Sequence, residues 1–114
     1  MHELGIVFAL IDTLEDTAAE HNLTSIQKVT VDLGEVSGVV TAFFTDAWEW
    51  ASDKHDLLRG AELEICTIPA VTICNDCEHT YPTVEHGRIC PYCKSPHTEL
   101  LRGNELEVRS IEAE

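Results

Sequence analysis

The 114-residue sequence predicts an α+β protein: two helices packed on a small mixed sheet of about three strands, with a cysteine-bearing module inserted before the last strand. Three observations carry that expectation. Two stretches place apolar residues at steps of three and four, the spacing of one helix face. Three others alternate apolar and polar residues, as a half-buried strand does. Between the last two of these strands lies a segment with neither period, holding four cysteines in two Cys-x-x-Cys pairs.

The first helix begins almost at the chain start. Leu4, Val7, Phe8, Ile11, Leu14 and Ala18 form its apolar stripe, while Asp12, Glu15, Asp16 and Glu20 fall on the other side; it should end near His21-Asn22. Val29, Val31 and Leu33 then alternate with Lys28, Thr30 and Asp32 in a first strand, closed by a turn at Gly34 and Ser37-Gly38. A second helix is expected from about Thr41 to Leu57, with Phe44, Ala47, Trp48 and Ala51 on one stripe. Its Trp and Phe content reads as core packing. Leu58-Arg59-Gly60 ends it, and Ala61, Leu63 and Ile65 alternate with Glu62 and Glu64 in a second strand. Pro69 breaks that pattern. Glu105 to Ile111 alternates again, with Leu106 and Val108 as its apolar set, and should return to the first sheet. The expected division is residues 1–70 plus 105–114 as the α+β domain and 71–104 as the inserted module.

Composition narrows the function. Seven basic residues against twenty-one acidic ones give a formal net charge of −14, which opposes binding to phosphate backbones. No run of 18 apolar residues exists, so no membrane span is expected. The start carries Glu3 and no positive region, unlike a secretory signal. Five cysteines without such a signal point to a reducing compartment, the cytoplasm, and to metal rather than disulfides.

Cys74-Asn75-Asp76-Cys77 and Cys90-Pro91-Tyr92-Cys93 are separated by twelve residues. Each pair can present two sulfurs to one ion, and two pairs complete the tetrahedral thiolate cage of a closed structural zinc site. The segment is short of apolar residues, so Zn(II) would supply its folding energy. The module therefore reads as a zinc ribbon without an open catalytic position. Ribbons often serve nucleic acid, but residues 71–104 carry Arg88, Lys94 and Arg102 against Asp76, Glu78, Glu85 and Glu99, with no basic stripe. Cys66 shares its strand parity with Glu62 and Glu64 and reads as a thiol without a ligand role. His79, His86 and His97 read as surface residues or neighbours of the cage, each with the capacity to ligate through neutral imidazole. His21 and His55 sit at helix ends and read as structural.

The terminus Met1-His2-Glu3 offers different chemistry. The Met1 α-amine, the His2 backbone nitrogen and a His2 ring nitrogen can close two fused chelate rings, with Glu3 adding a backbone nitrogen or carboxylate. Ni(II) and Cu(II), which favour square-planar or tetragonal nitrogen sets, suit such donors. Taken alone, these residues favour the plainer reading, in which His2 is an ordinary exposed residue at a frayed terminus.

Met1-His2-Glu3-Leu4, the amphipathic helix, the sheet elements and Cys74-x2-Cys77-x12-Cys90-x2-Cys93 together resemble the HypA/HybF family of nickel-insertion accessory proteins for [NiFe] hydrogenases. The resemblance spans essentially the whole chain. It implies that His2 is the central Ni(II) ligand with Met1 and Glu3 contributing, and that Cys74, Cys77, Cys90 and Cys93 hold zinc. It further implies a metallochaperone rather than an enzyme. Its partners would be the nickel-handling GTPase HypB and the hydrogenase large-subunit precursor, with urease maturation proteins as further clients in some relatives. Gly5 stands where serine often follows the opening motif; it removes no ligand but loosens the first helical turn. Met1 should be retained, because methionine removal normally requires a small second residue. The edges of so small a sheet are compatible with a homodimer. The competing readings are a zinc-ribbon interaction adaptor without transported metal and a thiol–disulfide enzyme using one Cys-x-x-Cys pair. No nucleophile–base constellation supports a hydrolase.

Overall fold

The computed structural model describes residues 2–114, with His2 described through its backbone alone. The chain folds into α1 (His2–His21), β1 (Ile26–Gly34), α2 (Thr41–Ser52), β2 (Glu62–Ile68), β3 (Val71–Cys74), β4 (Thr80–Pro82), α3 (Thr83–His86), β5 (Thr98–Arg102) and β6 (Leu106–Ala113). A 3-10 turn, Asp56–Leu58, lies between α2 and β2. The strands form two three-stranded sheets, in the orders β2-β1-β6 and β4-β3-β5.

The first sheet is mixed. Lys28 pairs with Glu64 at 3.2 Å near the start of β1 and β2, and Glu35 N–H donates to the Ile68 carbonyl near their ends, so the two strands run parallel around α2. Ser25 and Glu114 exchange backbone hydrogen bonds at one end of β1 and Gly34 donates to Glu105 at the other, which makes β6 antiparallel. The α+β class with two helices on a small mixed sheet is therefore as the sequence predicts.

Two compact units result. The first takes in α1 with the chain through Val31, Val39–Ile65 and Val108–Glu114. Its core is Val7, Ile11, Leu14, Ile26, Val29, Val31, Phe44, Ala47, Trp48, Ala51 and Leu58, all nearly inaccessible to solvent. The Trp48 indole N–H reaches the Ala61 carbonyl at 3.2 Å, so its one polar atom is not stranded. The two long helices run side by side in the same sense: Glu3 meets Val40, Phe8 meets Trp50, and Glu15 meets His55.

Four expectations need correction. Helix α2 stops at Ser52 rather than Leu57, because Lys54 and His55 donate to Ala51 and Ser52 in tight i→i+3 turns and His55 then becomes extended. Phe8 is not in the core but 43% exposed. Thr30 is buried although it shares the parity of the half-buried Lys28 and Asp32, because it sits midway along the central strand of the sheet. On β6 the residues packed against the core are Ile111 and Ala113, whereas Leu106 and Val108 face outward, so the inward parity is the opposite of the apolar alternation.

The second unit comprises Asp32–Gly38 and Cys66–Glu107. Its sheet pairs β3 antiparallel with both neighbours, Thr72 standing between Tyr81 and Leu100. The turn after β1 is clamped by backbone hydrogen bonds: Gly34 N–H to Glu105, and Val36 N–H to Gly103, each at 2.8 Å. The Glu35 carboxylate accepts the Ala70 N–H at 2.9 Å. Close approach requires glycine here. A Cβ on Gly34 would overlap the Gly103 carbonyl and lie 2.5 Å from the Asn104 nitrogen, and Gly103 itself has φ +113 against Ala70.

Candidate metal centre

Each cysteine pair sits on a turn of the same construction. In the first, Glu78 N–H bonds back to the Cys74 carbonyl at 2.8 Å and Glu78 adopts φ 65. Cys74 N–H then reaches the His79 carbonyl. In the second, Lys94 N–H bonds to the Cys90 carbonyl at 2.9 Å, Lys94 adopts φ 64, and Cys90 N–H reaches the Ser95 carbonyl. A left-handed residue directly after each pair reverses the chain without displacing the sulfurs. Two non-glycine residues held in that region mark a geometry that the surroundings impose.

The turns face each other. Cys74 Sγ lies 3.5 Å from Cys93 Sγ, and Cys77 Sγ lies 3.6 Å from Cys90 Sγ. All four sulfurs fall within 4.8 Å of one another. A tetrahedral ion with metal–sulfur bonds of about 2.3 Å sets sulfurs about 3.8 Å apart, so the cluster fits a soft tetrahedral cation. Cys74 and Cys90 are fully buried, Cys77 half-buried and Cys93 exposed.

Protonation points the same way. Burial opposes ionisation of Cys90, yet the N–H groups of Cys93 and Tyr92 bring it down to about 7. The Ser95 N–H favours the Cys93 thiolate, but Cys74, burial and the other sulfurs push that thiol up to about 12. Cys77 is likewise raised: the His79 N–H favours its thiolate, and burial with the Cys90 and Cys74 sulfurs outweighs it. Four thiolates this close cannot all ionise unaided; a divalent cation among them removes the repulsion.

A polar lattice ties the two turns together. Asp76, inside the first pair, accepts the Ser95 hydroxyl in a short bond and lies 3.0 Å from His97 Nδ1. The Ser95 and His97 bonds hold the Asp76 carboxyl below the usual carboxylate range. Asn75 N–H donates to the His97 carbonyl, so His97 is fixed at both ends. His79 stacks on Tyr92 with centroids 4.3 Å apart and its Nδ1 lies 3.3 Å from Cys77 Sγ. His86 instead packs edge-on against Tyr81, the buried ring of this small core. Cys66, half-buried on β2, is not among the clustered sulfurs. Asp76 and Ser95 are invisible to spacing arguments; the only signal is a short polar residue inside the first cysteine pair and another two positions after the second.

At the other end of the chain, Met1 lies outside the described residues, as does the His2 side chain. Glu3 is described. It is 3% exposed, and its Oε2 accepts the N–H of Val40, the residue that caps α2, at 3.3 Å. A carboxylate there also complements the positive end of that helix. No described helix is long and apolar enough to cross a membrane.

Fold and cage together define a small α+β metal-binding protein with a closed tetrathiolate site. The family profile described as hydrogenase/urease nickel incorporation, metallochaperone, hypA matches residues 1–113. The chain is 34% identical over 114 residues to the hydrogenase maturation factor HypA of Dehalococcoides mccartyi, covering 100% of this chain and 95% of that one. It is 36% identical over 115 residues to that of Shewanella oneidensis, covering 100% and 96%. The solution structure of the Ni metallochaperone HypA from Helicobacter pylori superimposes with a TM-score of 0.74 at 26% identity, over 97% of this chain and 96% of that one. The chain belongs to the HypA family of nickel metallochaperones for hydrogenase maturation.

Proposed function

We propose that this chain carries Ni(II) at its N-terminus through Met1, His2 and Glu3 and delivers it to the [NiFe] hydrogenase large-subunit precursor. In this reading it works in the cytoplasm with the GTPase HypB, as a carrier and not a catalyst. Cys74, Cys77, Cys90 and Cys93 hold a structural Zn(II); residues 71–104 form the zinc-ribbon domain, and residues 1–70 with 105–114 form the nickel-binding domain. The observation that carries the proposal is the division of donor types: a closed sulfur cage with four ligands, and a separate terminus rich in nitrogen.

Helix geometry supports the terminal site. Helix α1 begins at His2, and the first four N–H groups of a helix have no intrahelical acceptor. The His2 and Glu3 amide nitrogens can therefore bind a metal without breaking the helix ladder. The Glu3 carboxylate is engaged at Val40, so Glu3 contributes through its backbone nitrogen and anchors the site through its side chain. A terminal chelate of few donors yields its ion stepwise to incoming ligands, which suits transfer. The zinc would neutralise four thiolates and hold β3 and the two turns together, with no vacant position for a client.

Nickel binding to tag-free chain, measured by equilibrium dialysis, is the test. His2→Ala, or two residues added ahead of Met1, should remove the nickel and leave the zinc content unchanged. Full nickel affinity in the extended chain would refute the terminal chelate.

A further inference from the structure

Three of the five Phe and Trp side chains escape the core: Phe8 at 43% exposure, Phe43 at 50% and Trp50 at 54%. All three lie on the two parallel helices. Phe43, Asp46 and Trp50 follow one another at steps of three and four along the outer stripe of α2, and Asp53, its C-cap, continues the spacing. Phe8 stands across from Trp50, the ring centroids 6.3 Å apart. Beside them, Leu4, Asp46, Ala47 and Trp50 line an apolar depression of about 170 Å³. Aromatics and a pocket on an otherwise acidic surface are the makings of a binding hot spot.

Location and charge say what would cover it. Leu4 is two residues from His2 and follows the anchored Glu3, so the depression opens beside the first turn of α1. Any protein that takes nickel from the terminus must bring its own ligands within bonding distance there, and must therefore rest on neighbouring surface. The rim is acidic: Asp46 lines the depression, Asp53 lies one turn beyond Trp50, and Asp12 one turn beyond Phe8, all exposed. The Lys54 ammonium is already laid over the Trp50 ring, 4.2 Å from its centroid. Electrostatic complementarity then calls for basic residues around an apolar anchor.

We propose that this face of α1 and α2 docks the protein that exchanges nickel with the terminus, receiving from it an aliphatic anchor flanked by lysine or arginine. The inference rests on the nickel-carrier reading and deepens it by assigning the surface on which transfer takes place. Phe8 and Trp50 supply the apolar contact, and Asp46 and Asp53 orient the basic flanks.

The test is titration calorimetry of the tag-free full-length chain against HypB and against the large-subunit precursor of the same organism. Two double variants are compared with the parent: Phe8→Ala with Trp50→Ala, and Asp46→Lys with Asp53→Lys. At least one partner should bind the parent, more weakly as salt is raised, and its affinity should fall at least tenfold with either variant. Zinc and nickel contents should match the parent's. Affinities within twofold of the parent for both variants overturn the proposal. So does a parent that binds neither protein, or self-association that the Phe8 and Trp50 changes dissolve, which would assign the face to a second copy. Nickel dialysis on the parent and on His2→Ala keeps the readings apart: a parent that docks but takes up no more nickel than His2→Ala refutes the chelate and leaves the surface standing.

Discussion

Replacing Cys90 by alanine removes one of four sulfurs from the cage and leaves the Tyr92 N–H, 3.4 Å from that sulfur, facing an apolar methyl. The size of the effect follows from what else holds the second unit together. Around the cage the buried cluster holds Tyr81 as its one large apolar side chain, worth only about 1.5–3 kcal/mol on burial. Zinc bound by a four-ligand peptide site contributes of order 10–16 kcal/mol. Loss of one ligand in four should therefore cost about 2.5–4 kcal/mol of binding, or roughly 70- to 900-fold in zinc affinity. Competition with a chromophoric chelator measures this directly. In a background carrying Trp50→Phe and Tyr92→Phe, which removes the exposed indole and phenol, Tyr81 and Trp48 are separate optical reporters, one buried in each unit. On removal of the metal the Tyr81 signal should become that of an exposed ring while Trp48 keeps its buried emission. A loss of affinity below tenfold would refute a four-thiolate site. Simultaneous loss of both signals would refute the idea that the helical core stands without the cage.

Two further outcomes are expected. Gly34→Ala should destabilise the chain by about 2–3 kcal/mol or more in urea denaturation, because the new methyl meets fixed backbone at Gly103 and Asn104 and not a side chain that can turn away. Lys28 is raised above its ordinary value, first by its hydrogen bond to Glu64 and then by that carboxylate's charge. A raised pKa gives stability that is fully present below about pH 10.4 and is lost as pH rises through the folded value. Lys28→Met should therefore flatten the fall in stability above that pH, as pH-dependent thermal melts would show.

The elements legible in the sequence were those whose period is enforced by burial on one side. Val7, Ile11, Leu14 and Ala18 on α1, and Phe44, Ala47, Trp48 and Ala51 on α2, line up with the core as their spacing implies. Phe8 misled for a physical reason. A helix stripe wide enough for a core and an outward aromatic face has one apolar pattern for two destinations. Leu106 and Val108 misled similarly, since β6 carries apolar residues on both faces and alternation cannot say which face is inward. The end of α2 depended on i→i+3 bonding at Lys54 and His55, which composition does not encode. The four cysteines were legible because ligand spacing is a local property. The left-handed backbone at Glu78 and Lys94 was not, since neither residue type announces it. By sequence Glu3 is a candidate metal donor; its bond to Val40 reaches across thirty-seven positions that no local pattern spans.

The two cysteine turns close within a few residues each, by backbone bonds from Glu78 to Cys74 and from Lys94 to Cys90. Each is therefore a preformed two-pronged claw whose shape does not wait for its counterpart. Metal capture then reduces to a tethered encounter between two bidentate halves, with an effective concentration set by the twelve residues between Cys77 and Cys90. Loop closure of that kind varies slowly, by about 0.6 kcal/mol for each doubling of length. The intervening strand and short helix can thus change in length with little loss of affinity, whereas one residue added inside either claw would not be forgiven.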